Sequence, residues 1–474
     1  MITARRPWAL LAVSLAAFMG YLDNNIVNVA LPSIQRDLRL TTSGLEWVVS
    51  AYILAFAGLL LAGGRLADAF GRRLLFLAGL IVFTGASLVA GLSGSDVALV
   101  TARAVQGLGG AMLIPASLAI ISHAYPDPRE RNTAIGIWSG IGALGLGVGP
   151  VLGGLLSQHE SWGWIFLINV PIGAITLLLG AWSVTESRES VRQRLDLPGL
   201  LASTLALTTL TWALIEGGQR GWTSSVILAA FAVAVVAGLV FAVIEQRSID
   251  PMVDLSVFGI RAFSGGIGAI MLWAFGLFGI YFFTSLYMQG VLGFSPTKAG
   301  LAFLPLALCM VAGAIGSEKA AQLAGAARIV GLAMLLMALG IVIFSRLGAN
   351  TSYLTLMPSF ILLGLGAGLT TPLTASILAV MPTHQAGLAS ALFNASREIA
   401  GLLGITVIGA ILTARQTSAA HAGAAPLDAF LSGYHFGLLV TAALLLLGAA
   451  VSWLALRDAA SPTPESDAVS VVIG

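Results

Sequence analysis

Gly64-Arg65-Leu66-Ala67-Asp68-Ala69-Phe70-Gly71-Arg72-Arg73 is a charged island between two long apolar runs, 45–64 and 74–94. Each run holds the about 20 residues that a helix needs to cross a bilayer with its backbone hydrogen bonds closed internally. The two glycines allow a tight turn between antiparallel helices. Asp68 can face a helix N-terminus or pair with an arginine, and Arg72 with Arg73 pins the turn at one membrane face. Composition extends this reading to the whole chain. Of 474 residues, 58% are hydrophobic and 9% charged, whereas a soluble domain needs about 25% charge to solvate its surface. A net charge of +2 leaves no basic excess for a run of phosphates, which excludes nucleic acid as a partner. The single Cys309 rules out a disulfide framework and a cysteine metal cluster, and no metal site is expected.

Apolar runs between charged or Pro/Gly/Asn punctuation predict spans near 8–31, 45–64, 74–94, 97–122, 133–157, 162–185, 197–216, 224–244, 262–288, 298–317, 328–347, 353–378, 388–412 and 435–456. That is an all-α polytopic membrane protein of fourteen transmembrane helices, ending in a disordered tail at 457–474. Lys and Arg resist translocation, so their distribution orients the chain. With both termini cytoplasmic, 15 of the 23 basic residues fall in cytoplasmic segments, six fall outside, and Arg103 and Arg397 lie within spans. Arg5 and Arg6 before an apolar run imitate a secretory signal. The run is long and holds Asp23, so it reads as a retained first span. Abundant Ala, Gly and Arg beside only two lysines suggests a high-GC bacterial host, hence the bacterial inner membrane.

A phosphate-cradling loop needs Gly-Lys-Ser/Thr, yet the two lysines follow Thr297 and Glu318, so no ATP motor is built in. Gly-x-Ser-x-Gly and His-Glu-x-x-His are absent, and the five histidines are scattered. A secondary transporter, not an enzyme, is the expectation. A channel would show a repeated filter or a short ring-forming subunit.

In the fifth predicted span Gly145, Gly149 and Gly153 recur every four residues, with Pro150 and Gly154 completing Gly-x-x-x-Gly-Pro-x-x-Gly-Gly. That spacing puts the glycines on one face, where a second helix can approach closely. This motif, the complete Gly-x-Leu-Ala-Asp-x-x-Gly-Arg-Arg loop from Gly64, and Leu99 to Gly110 with Arg103, Gln106 and Gly107 together resemble the major facilitator superfamily. Leu22-Asp23-Asn24-Asn25 to Pro32, Trp162 to Pro171, Asp250 to Leu255 and Tyr287 to Gly293 are similar to its fourteen-span drug:proton antiporter family. The resemblance implies two six-helix bundles, residues 1–196 and 262–456, with an inserted hairpin and cytoplasmic linker at 197–261. It also implies proton-coupled export of drugs, antibiotics or lipophilic cations by alternating access, with the proton gradient as energy source and no cofactor. Gly64, Asp68, Gly71, Arg72, Arg73, Gly145, Gly149, Pro150, Gly153 and Gly154 are then conformational elements. Three departures stand out: Asn24 and Asn25 where Thr or Ser is frequent, Gly163 in place of a common Arg, and a 10–11 loop with Glu318 and Lys319 but no Asp and paired Arg.

A charge within the bilayer costs at least about 2.5 kcal/mol on insertion scales, so each one is a functional candidate. Asp23, Arg103, Arg397 and Glu398 are such residues. Asp23 is the expected principal proton site: burial disfavours its ionised form, nearby Arg103 favours it, and small movements shift the balance. Glu398 is the second candidate acid, with Arg397 beside it but about 100° around the helix. Asn25, Gln106 and Asn394 are candidate polar cavity groups. Trp273, Phe278 and Tyr281 are aromatic ones suited to flat lipophilic cations, or equally to plain packing. Expected partners are a small lipophilic or cationic substrate, protons and membrane lipids, around a monomeric chain. A single endogenous metabolite or lipid as cargo, and a non-transporting membrane sensor, are the alternatives.

Overall fold

With no water to satisfy N–H and C=O groups, the apolar runs close their hydrogen bonds along the chain and become helices. The computed structural model describes residues 2–188, 196–248, 251–381 and 386–456, and among these fourteen helices are long and apolar enough to cross a membrane. The tail at 457–474, expected to be disordered, lies outside the described residues, as do Arg192, Arg194 and Asp250. Spans 1 to 6 are Arg5–Leu38, Thr42–Leu60, Arg72–Gly91, Asp96–Ala124, Pro128–His159 and Trp164–Ser183. Spans 7 and 8 are Leu197–Arg220 and Ser225–Arg247. Spans 9 to 14 are Arg261–Val291, Pro296–Ala324, Ala326–Phe344, Tyr353–Ala379, Ala389–His421 and Pro426–Leu456.

Several helices outrun their apolar stretches. Span 1 continues to Leu38, span 13 to His421, and span 14 begins at Pro426, because polar side chains at the interface reach water while the backbone stays helical. Local signals fix other ends. Asp127 accepts from the N–H groups of Arg129 at 2.9 Å and Glu130 at 3.0 Å, with Pro128 in the first helical position of span 5. Span 12 breaks at Thr370, where Pro372 cannot continue the ladder.

Span 1 lies along span 5, while spans 2 and 3 both pack on span 4. In the second half span 10 packs on span 12, span 11 on span 14, and span 9 on spans 13 and 14. The result is two six-helix bundles with a helical hairpin between them in sequence. Spans 7 and 8 pair with each other, and span 7 touches both span 2 and span 13.

The bundles meet unevenly. The 2–3 and 4–5 turns mark an arginine-rich end. At the opposite, far end, spans 5 and 10 are locked: Thr297 N–H donates to Gln158 Oε1 at 3.1 Å, its hydroxyl donates to the Gly154 carbonyl at 3.3 Å, and Gly300 sits on the Pro150 carbonyl. Further along, a methyl placed on Gly147 would stand 3.9 Å from Ala307. One on Gly140 or Gly136, on the same face of span 5, would meet nothing within 4 Å. The two spans therefore part toward the arginine-rich end.

Candidate functional site

The glycine face of span 5 decides where span 1 sits. A methyl on Gly145 would lie 2.6 Å from the Phe18 carbonyl and 2.9 Å from the Leu22 N, and one on Gly149 would lie 3.0 Å from Asn25 Cβ. Gly153 faces the Ile26 carbonyl at 2.5 Å. These are backbone contacts with the turn that carries Asp23, and only hydrogen on the glycine allows them. Gly154 and Pro150 face the other way, onto Pro296 and Gly300 of span 10. One helix thus connects the Asp23 turn to the second bundle.

Asp23 is fully buried, as are Arg103, Gln106 and Asn169. Its Oδ2 accepts from Arg103 Nη1 in a buried ion pair, and its Oδ1 accepts from Gln106 Nε2 at 2.7 Å and Asn169 Nδ2 at 3.0 Å. Arg103 also donates to Gln106 Oε1 at 2.7 Å and to the Val48 carbonyl at 3.1 Å. Its guanidinium lies 4.4 Å above the Tyr52 ring centroid and 5.5 Å from that of Phe166. Gln106 donates further to Ser87 at 2.8 Å. Spans 1, 2, 3, 4 and 6 all reach this cluster. Charge-assisted bonds in a dry site are the strong ones, and both carboxylate oxygens are satisfied. Two atoms are left unpaired in the same site, Arg103 Nη2 and Asn169 Oδ1.

Glu398 and Arg397 form a second pair. Arg397 donates to Glu398 Oε1 at 2.8 Å and 3.3 Å, so its long side chain curls back despite the angular separation of neighbours on a helix. Tyr21 of span 1 faces the same guanidinium. Glu398 is buried with Oε2 unpaired, while the Arg397 side chain is 23% exposed.

The candidate cavity groups scatter. Gln106 belongs to the Asp23 cluster. Asn25 donates to the Tyr21 carbonyl at 3.1 Å and Asn394 to that of Ser390 at 2.9 Å, each within its own helix. Tyr281 stacks on Phe303 at 4.9 Å, Phe278 fills the space over Gly401, and the partly buried Trp273 leaves its indole N–H unpaired.

At the 2–3 turn Gly71 adopts φ of +117°, a conformation that favours glycine. Asp68 accepts from Arg72 at 2.9 Å and 3.1 Å. Glu186, which sequence reasoning did not single out, accepts from the N–H groups of Arg73 and Leu74, both at 3.1 Å, and so caps span 3. Arg73 donates to the Ala181 carbonyl at 2.7 Å, and Arg65 to that of Pro251. Asn169, Ser87 and Tyr52 were equally missed. Asn169 had a signal, being an amide in an apolar run two residues before Pro171.

A family model described as the Major Facilitator Superfamily matches residues 13–405. The chain belongs to the major facilitator superfamily. Among similar members, the puromycin resistance protein pur8 of Streptomyces alboniger is 36% identical over 480 residues, covering 98% of this chain and 94% of that one. The multidrug resistance protein Stp of Mycobacterium tuberculosis is 38% identical over 411 residues, covering 85% and 75% respectively. Among solved structures, a bacterial homolog of the human lysosomal transporter Spinster, in an inward-facing and unoccupied conformation, matches with a TM-score of 0.66 and 18% identity, covering 96% of this chain and 97% of that one. This member is a multi-pass membrane protein with the superfamily's fold.

Proposed function

We propose that this protein is a proton-coupled antiporter that exports drugs, antibiotics or lipophilic cations from a bacterial cell by alternating access. The observation that carries this reading is the fully buried Asp23 cluster seated on the glycine face of span 5. Protonating Asp23 neutralises the partner of Arg103, so the helices that share the cluster must repack. Span 5 transmits that change to span 10 through Gly154 and Pro150. Protonation favours release outside, deprotonation restores binding inside, and only the difference in affinity between the two states drives the cycle. The resistance and multidrug names of the relatives support a drug as cargo. The arginine-rich end is cytoplasmic, both termini lie inside, and the parted ends of spans 5 and 10 suit a state that takes up substrate there. The working unit is a monomer in the inner membrane, and the proton gradient is its only energy source.

Proteoliposomes with an imposed pH gradient and a panel of lipophilic cations and antibiotics test this. Gradient-dependent movement of several compounds is the expected result, and none for any compound would overturn it. A relative named for a single antibiotic favours a second reading, export of one compound, which movement of just one panel member would select.

A further inference from the structure

Glu46 lies one turn inside the far end of span 2 and is 1% exposed. Its Oε2 has no hydrogen-bond partner among the described residues. The carboxyl rests on Gly409 of span 13: a methyl placed there would stand 2.5 Å from Glu46 Cδ and 2.8 Å from Oε2. Span 7 closes the third side. Ser43 donates to the Ile215 carbonyl at 3.2 Å, Trp47 to Glu216 at 3.4 Å, and Gln219 to Thr41 at 3.2 Å. Gly218 of span 7 in turn faces Thr413 of span 13, with 2.7 Å between a methyl there and Thr413 Cγ2. The facing charges are few. Glu216 carries the same sign as Glu46 and is held by Arg220 at 3.0 Å, while Arg415 of span 13 lies over the Phe436 ring at 3.8 Å. Glu46 therefore occupies a dry junction of the first bundle, the second bundle and the inserted hairpin.

We propose that Glu46 is a second proton-binding site, occupied when the far end is closed and emptied when it opens, with the hairpin as part of its wall. This rests on the alternating-access, proton-coupled reading above. A buried carboxylate without a counter-charge is costly, whereas the neutral acid is tolerated, so the closed junction accepts the protonated form. Spans 2 and 13 belong to opposite bundles, and opening the far end separates them. Water then reaches Glu46 and the acid ionises. The sign follows: closure is favoured at low pH and weakens as pH rises between the titration points of the closed and open states, by up to about tenfold per pH unit for one proton. With the far end outside, external protons close the gate after substrate has left.

The test is a distance measurement by pulsed electron paramagnetic resonance. Spin labels go on Glu160→Cys and Lys298→Cys, both exposed at the far ends of spans 5 and 10, in a Cys309→Ser background. In lipid nanodiscs the open fraction is expected to rise with pH, with a slope approaching tenfold per unit. Glu46→Gln, a neutral isostere, is expected to lose that rise of the open fraction with pH and to keep only what Asp23 contributes. Glu46→Asp keeps a pH response, and Asp23→Asn leaves the Glu46 response in place. An unchanged response in Glu46→Gln, or its loss in both Glu46 variants, overturns the proposal. A normal response at Glu46 without any proton-driven transport would instead sink the antiport reading alone.

Discussion

Two ion pairs within the spans, Asp23–Arg103 and Glu398–Arg397, have similar components and opposite surroundings. Asp23 receives three donors on its two oxygens from residues on spans 4 and 6, and Arg103 fills the space against Tyr52. Glu398 receives one partner, its own neighbour Arg397, and keeps Oε2 unpaired. A pair shared by several helices ties its charge state to their packing, whereas the charge state of a pair on neighbouring residues of one helix, which Tyr21 of span 1 also faces, bears on fewer contacts. This contrast is why we propose Asp23, and not Glu398, as the conformational proton site.

The largest expected effect comes from cutting the arginine in each pair. Arg103→Ala strands a buried carboxylate and loses its aromatic contacts, at a cost of about 3–5 kcal/mol. Arg397→Ala exposes less, at about 1–3 kcal/mol. Thermal unfolding in detergent measures both, and equal losses would break the contrast. Next, neutralising the acids separates coupling from stability. Asp23→Asn is expected to reduce pH-gradient-driven efflux to background, while Glu398→Gln lowers the rate and keeps the dependence on the gradient. Gly145→Ala sharpens the comparison from a distance: its methyl would press on the Phe18 carbonyl at 2.6 Å and displace the Asp23 turn, costing about 1–3 kcal/mol. Efflux should fall in that variant and not in Gly140→Ala, where the space is open. Smallest is Tyr281→Ala, expected to weaken transport of cationic compounds by less than about tenfold with neutral ones unaffected, read from paired transport assays.

The span count was legible because a bilayer demands a fixed length of apolar helix, and no tertiary contact overrides that demand. Helix ends were less so, since polar residues such as those at 413–421 are compatible with either helix or loop at an interface. Asp23 and Arg103 stood out as charges in apolar runs. Among their partners Gln106 stood out as a polar group too, but Ser87 and Tyr52 did not, because they are ordinary membrane-helix residues until spans 2, 3 and 4 are packed. Glu46 was passed over for a related reason. It is one acid near the start of a run, and nothing local tells whether it faces water, Glu216 or Gly409. Glu186 caps a helix more than a hundred positions earlier in the chain, a relation that no local pattern encodes.

Asp23 is expected to exchange a proton when substrate binds. Substrate added to purified protein in weakly buffered detergent solution, with a pH dye as reporter, tests it directly. The wild type and Glu398→Gln should release protons on addition of a transported compound, and Asp23→Asn should bind the compound with no release. Undiminished proton release from Asp23→Asn would contradict the account.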